Sequence, residues 1–256
     1  MLSAQMEWDA YDAVLFDLDG VLTPTAEVHQ RAWASMFTAY LTDRSERTGE
    51  SLAAYTEQDY FDYIDGKPRY DGVRSFLASR AITLPEGDVE DPTSAETVCG
   101  LGNRKNEAFN QVLDADGVTA YPGSVALIRH LHDRGTSMAV VSSSRNAPQV
   151  LAAAGLSQYF ATVMHGGLAT ELNLPGKPAP DTFAYAAGQL GAEDERCAVL
   201  EDATSGVAAG KAGGFGLVIG VDRGVGEQAL REAGADVVVH DLAELLAPTS
   251  ATEGPK

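Results

Sequence analysis

Cysteine is nearly absent: Cys99 and Cys197 are the only two, far apart and neither in a CxxC pair. That excludes the common zinc modules and a dithiol redox site, and leaves two isolated thiols of the kind a reducing cytosol keeps free. Positive charge is also scarce, with 18 Lys and Arg against 37 Asp and Glu and a formal charge of -19. Nucleic acid and anionic lipid are gripped by clustered Lys and Arg, so neither is the expected partner. No apolar run reaches the ~18 residues of a membrane span. The opening stretch, Met1 to Asp9, has no basic segment followed by an apolar one, so no secretion signal is expected. These absences predict a soluble, cytoplasmic protein. An anionic ligand would need a local positive exception on so negative a chain, and a metal ion is one way to make it.

The 256 residues suffice for one large domain or two small ones. Ala13-Val14-Leu15-Phe16 is a short apolar run that reads as a strand covered on both faces. Asp19-Gly20 turns the chain, and Thr23 is placed to cap a helix with Pro24 in its first turn. On that helix Thr25, His29 and Trp33 share one face. From about 30 to 113 the chain is rich in aromatic and charged residues, with helical periodicity and breaks at Gly66-Lys67-Pro68 and Pro85-Glu86-Gly87. No strand is expected there.

Strands and helices alternate from about residue 118. Helices are expected after Tyr121-Pro122-Gly123, over Pro148 to Ala154, from Pro180-Asp181 to Gly191 and over Ser205 to Ala212. Strands are expected at Ser137–Val141, Cys197–Leu200, Gly216–Gly220 and Asp236–Val239. The pattern predicts an α/β fold, a doubly wound parallel sheet with a small α-helical cap, and ligands at the carboxyl ends of the strands. The boundaries follow: a core of 1–25 and 114–247, a cap of 26–113, and a polar, disordered tail of 248–256.

Four features stand where such a sheet places a site. Asp17 and Asp19 follow the first strand, and residues two apart in extended chain point the same way. Alone, the pair also reads as a solvated acidic turn or part of an EF-hand, although Val21-Leu22 does not continue a calcium loop. Ser142, Ser143 and Asn146 lie between a strand and a helix start, where hydroxyls and free N–H groups can hold phosphate, or can simply cap the helix. Lys177 sits in the stiffened loop Gly176-Lys177-Pro178-Ala179-Pro180-Asp181. Glu201 and Asp202 end a buried strand. Four carboxylates in one cleft require a cation, and hard oxygen ligands without a His or Cys cluster suggest Mg2+. The glycine-rich stretch Gly210 to Gly226 holds no GxGxxG after a strand and no GK[ST], which sets nucleotide-loop readings aside.

In this order the four signals resemble the haloacid dehalogenase superfamily of phosphotransferases. Asp17-Leu18-Asp19-Gly20-Val21-Leu22-Thr23, Gly176 to Asp181 and Leu200-Glu201-Asp202 are similar to its β-phosphoglucomutase-type subfamily. The resemblance implies that Asp17 takes up the phosphoryl group. It implies that Asp19 is the general acid/base and offers its backbone carbonyl to Mg2+. Asp17, Asp19 and Asp202, with Glu201, would form the metal site. Ser142, Ser143, Asn146 and Lys177 would hold phosphate oxygens. Thr25 and His29 would communicate with Asp19, and Arg69, Lys105 and Asn106 would bind a second phosphate from the cap.

The implied activity interconverts β-glucose 1-phosphate and glucose 6-phosphate through a 1,6-bisphosphate. A phosphatase for a small sugar or polyol phosphate and a non-catalytic sugar-phosphate binding protein are the rivals. A monomer is expected, with an oligomer left open. A dehalogenase is disfavoured, because halide displacement needs no metal site. Two features depart from the subfamily: Pro24 stands where many relatives carry an acid, and the cap contains an acidic stretch, Glu86 to Glu96, that the resemblance leaves unexplained.

Overall fold

The computed structural model describes residues 6–246; the tail expected to be disordered, 248–256, lies outside them. Chain order is β1 (Ala13–Phe16), α1 (Thr25–Thr48), α2 (Glu57–Tyr63), α3 (Arg69–Ser79), α4 (Val98–Asp116), α5 (Pro122–Asp133), β2 (Ser137–Val141), α6 (Ala147–Ala153) and β3 (Thr162–Met164). It continues with α7 (Gly166–Glu171), α8 (Asp181–Leu190), β4 (Cys197–Glu201), α9 (Thr204–Ala212), β5 (Leu217–Val221), α10 (Glu227–Ala233) and β6 (Val237–Val239).

The strands form one sheet in the order β3-β2-β1-β4-β5-β6, with every pairing parallel. β1, β4 and β5 are buried at every position, which is why they read as unbroken apolar runs rather than alternating ones. Helices cover both faces and two apolar clusters divide between them. β1 is central, with Phe16 beside Val140 on one side and Leu200 on the other. Chain order reverses across it, so Asp17 and Asp19 leave the sheet at its switch point, between the ends of β2 and β4.

Helices α1 to α4 build the insert, and no strand is described in it. Its own apolar cluster gathers Trp33, Phe37 and Tyr40 of α1 with Phe76 of α3 and Leu101 of α4. The Phe37 and Phe76 rings meet at a tilt of 33° with centres 3.9 Å apart. The acidic stretch is a strap tied to α4. Asn103 Nδ2 donates to the carbonyls of Val89 and Asp91, and Arg104 Nε donates to Thr93. Arg74 and Arg47 answer Glu86 and Glu96 at its ends.

Some expectations change. Thr23 does not cap α1; Pro24 holds that position. The Thr23 backbone N–H and hydroxyl both donate to the Leu18 carbonyl, closing the turn before the helix begins. β3 and α7 were not expected. α6 and α9 start one residue early, and β5 is shifted by one to Leu217–Val221. Cys99 and Cys197 are buried and unpaired, and no described helix is long and apolar enough to cross a membrane.

Candidate active site

The turn after β1 brings two carboxylates to one place with different partners. Asp17 Oδ1 accepts from Lys177 Nζ at 2.6 Å, while its own N–H donates to Leu200 at 2.9 Å. Lys177 is 3% exposed and also donates to the Val141 carbonyl at 2.9 Å and to Glu201 Oε1 at 2.5 Å. Burial disfavours its charge, but Asp17 and Glu201 outweigh that and hold it firmly protonated. The Lys177–Pro178 peptide is cis.

Asp19 faces the cap. Its Oδ1 accepts from the Thr25 hydroxyl at 2.5 Å and lies 3.4 Å from His29 Nε2, and its Oδ2 accepts from Ser142 Oγ at 3.2 Å. Burial works to raise its pKa, but His29 and the Thr25 hydrogen bond prevail and hold it at about 2. Asp19 is therefore an ionised carboxylate in the resting site. His29 stacks on Phe109 with centroids 4.1 Å apart, and burial, then Lys105, lowers its pKa.

Asp17 and Asp202 both sit well above the usual carboxylate range. Burial is the main cause for each; Glu201 and Asp19 add to it at Asp17, against Lys177, and Asp65 and Glu201 add to it at Asp202. The cleft is short of positive charge, which Lys177 alone does not balance. A further cation at these hard oxygens would answer the deficit, and the donor set fits Mg2+. Among the described residues no three His, Cys, Asp or Glu side chains converge as a ready-made metal site. Magnesium asks for less, because it keeps several waters and takes one or two carboxylates.

The cap supplies the other wall. Arg69 Nη2 and Asn146 Nδ2 both donate to Asn106 Oδ1 at 2.7 Å, so cap and core meet at one amide. Ser143 Oγ donates to the Gly66 carbonyl at 2.7 Å, and Ser205 Oγ to Asp65 at 3.1 Å. Asp17, Asp19, His29, Arg69, Asn106 and Ser142 line one cavity beneath the cap.

All the expected residues therefore gather around this cleft, but two point elsewhere than expected. Glu201, expected beside the metal, is fully buried and has both oxygens engaged, Oε1 by Lys177 and Oε2 by the Ala203 N–H at 2.9 Å. That takes it out of direct ligation and makes it the anchor of Lys177. Lys105, expected on a second phosphate, is 3% exposed, contacts His29 Nδ1 and lies 5.0 Å from the ring centres of Trp33 and Phe109. Burial and then Arg69 lower its pKa well below that of a free lysine. It serves the Asp19–His29 side of the cavity.

Sequence reasoning missed Asp65 and Arg145. Asp65 lines the cavity, and burial, then Glu201, raises it to about 7. Its only local signal is the Gly66-Lys67-Pro68 break that follows it. Arg145 lies in the serine-rich loop, beside the cap residue Tyr70, with its guanidinium carbon 5.9 Å from the ring centre.

Known proteins are similar to this chain. The model of the haloacid dehalogenase-like hydrolase family matches residues 11–214. A β-phosphoglucomutase of Mycobacterium bovis is 52% identical over 238 residues, 91% of either chain. Hexitol phosphatase A of Escherichia coli is 28% identical over 236 residues, 90% of this chain and 91% of its own. The crystal structure of a β-phosphoglucomutase from Clostridium difficile has the same fold, with a TM-score of 0.72 and 23% identity over 92% of this chain and 93% of that one.

Proposed function

Because the chain belongs to the haloacid dehalogenase-like hydrolase family, in its β-phosphoglucomutase-like subfamily, we propose that it is a mutase that moves a phosphoryl group between C1 and C6 of glucose through an aspartyl phosphate. One observation carries this reading: a transferring pole of Asp17, Asp19 and Ser142 shares its cavity with a second polar pole, Arg69 and Asn106, on the cap. A hydrolase needs one phosphate site; a bisphosphate that must turn around between two half-reactions needs two.

Residues 26–113 act as the cap over the core of 1–25 and 114–247. Asp17 and Asp202, with the Asp19 carbonyl, would hold Mg2+, which when bound supplies charge neutralisation for the transferring phosphoryl group. Lys177 occupies Asp17 Oδ1 and leaves Oδ2 to carry the phosphoryl group. In the first half-reaction the sugar C6 hydroxyl attacks phospho-Asp17, the Asp–O–P bond breaks, and Asp19 takes the hydroxyl proton. After the bisphosphate turns, Asp17 attacks the C1 phosphate and Asp19 returns the proton to the departing C1 oxygen. Ser142, with Ser143 and Asn146 beside it, steadies the equatorial oxygens, Lys177 lends its charge to them from its place on Asp17, and Arg69 with Asn106 holds the distal phosphate. Closure under the cap excludes water, which would hydrolyse the aspartyl phosphate.

The phosphatase reading draws support from the hexitol phosphatase relative. Coupled formation of glucose 6-phosphate from β-glucose 1-phosphate, primed with bisphosphate and Mg2+, decides between them. Sustained turnover with little free phosphate is expected. Rapid phosphate release without glucose 6-phosphate would favour the phosphatase. We propose a small sugar phosphate as the substrate and the cytoplasm as the compartment, with a monomer expected and an oligomer left open.

A further inference from the structure

The loop after β5 lies two strands from β1 yet reaches back to the turn that carries Asp17 and Asp19. Asp222 shapes it, its carboxylate accepting from the N–H groups of Gly224 at 2.9 Å and Gly226 at 3.1 Å. Arg223 then crosses the end of β4. Its Nε donates to the Gly20 carbonyl and its Nη1 to the His240 carbonyl, both at 2.8 Å. The guanidinium carbon stands 4.0 Å from the centre of the Tyr121 ring. Tyr121 is tied to the same turn, its N–H donating to Leu22 at 2.9 Å.

Gly20 is the contact that Arg223 controls. Its φ is +88°, and a Cβ there would stand 1.8 Å from Asp202 Oδ2. The backbone of the Asp17 turn thus rests directly on the carboxylate of Asp202, and the two acidic walls of the cleft meet at that point. Like charges push those walls apart. A charged donor on the Gly20 carbonyl, anchored at its far side by His240 and lying over the Tyr121 ring, opposes the separation.

We propose that Arg223 is a positioning residue that holds the Asp17–Gly20 turn against Asp202 and so sets the spacing of the oxygen ligands offered to Mg2+. The role needs the fork of a guanidinium, because one ammonium cannot serve the Gly20 and His240 carbonyls in a fixed plane. Arg223 acts in this way whether the phosphoryl group goes to a sugar or to water, so it depends on the proposed function only through the Mg2+ site.

The test is calorimetric titration of magnesium chloride into the full chain without substrate, for the wild type, Arg223→Lys and Arg223→Ala, with melting temperatures alongside. Both variants are expected to bind Mg2+ about ten-fold more weakly, in the range found for groups that orient metal ligands. The KM for β-glucose 1-phosphate at saturating Mg2+ should stay within about two-fold, because Arg223 does not touch the distal-phosphate residues. Should Arg223→Ala fail to fold, Tyr121→Leu removes the stacking support alone and is expected to weaken Mg2+ binding about three-fold. Wild-type Mg2+ affinity in Arg223→Lys would overturn the brace in favour of charge alone, and wild-type affinity in both Arg223 variants would overturn it outright. Wild-type protein that takes up no Mg2+ would do the same. A wild type that binds Mg2+ but makes no glucose 6-phosphate would defeat the mutase reading and leave the brace standing.

Discussion

Glu201 shows how one buried side chain sets the state of another. It holds Lys177 on one oxygen and the Ala203 N–H on the other, so the lysine meets Asp17 at a fixed height. Glu201→Gln is expected to lower kcat about 10- to 100-fold, as loss of an orienting partner does elsewhere. Mg2+ affinity should fall by no more than about three-fold in the same variant, whereas replacing a true ligand would abolish it. Calorimetry and steady-state kinetics on one preparation separate the two. Asp17, Asp19, Asp202 and Lys177 were legible in the sequence because each stands directly beside a strand end or a proline-stiffened helix start. Asp65 was not: it sits in a loop between two cap helices, and only the closed fold brings it to the cleft. Nor could sequence tell which way Glu201 and Lys105 turn, because the deciding partners lie 24 and 76 residues away.

The short helix α2 depends on its first turn. Thr56 and Asp59 form a reciprocal capping box, and Asp59 also receives Arg80 Nη2 at 2.7 Å, with both side chains about nine-tenths buried. Burial works to raise Asp59, but the Arg80 and Thr56 hydrogen bonds prevail and hold it below the usual carboxylate range. A lowered carboxyl contributes stability that is complete above the unfolded pKa of about 3.9 and is lost as pH falls through the folded value. Asp59→Ala is therefore expected to cost about 3 kcal/mol at neutral pH, from a lost cap and an unpaired buried arginine. The difference in urea midpoint between wild type and variant should shrink steadily below about pH 4; a constant difference would show that packing, not charge, is at work. α2 and its cap lie in the stretch whose periodicity marked it as helical. β3 and α7 escaped notice because they are three and six residues long and only partly buried, too short for either period to register.

At the scale of the whole molecule, hydrogen bonds from Asn146 to Asn106, Ser143 to Gly66 and Ser205 to Asp65 join cap and core beside the Asp19–His29 contact. The three hydrogen bonds join uncharged groups and each opens at modest cost, as a cycle with a turning intermediate requires. Asn146→Ala removes one hydrogen bond, worth ~1 kcal/mol or about five-fold in an equilibrium. Free phosphate released per glucose 6-phosphate formed should rise by that factor, read from both products in one assay; an unchanged ratio would mean this contact does not govern water entry. The fold class was legible from unbroken apolar strands alternating with helices, while the strap at Glu86 to Glu96 was not, because its meaning lies in Asn103 and Arg104 on the next helix. The placing of β1 reaches further still. Ala13 pairs with Ser137 and Cys197, so the first strand made has no neighbour until much of the chain has left the ribosome. Such distant pairing is slow, and a polypeptide released before Cys197 would have one flank of β1 bare. An interrupted synthesis thus yields an inert fragment with an exposed β-edge, open to proteolysis or aggregation, rather than a leaky enzyme.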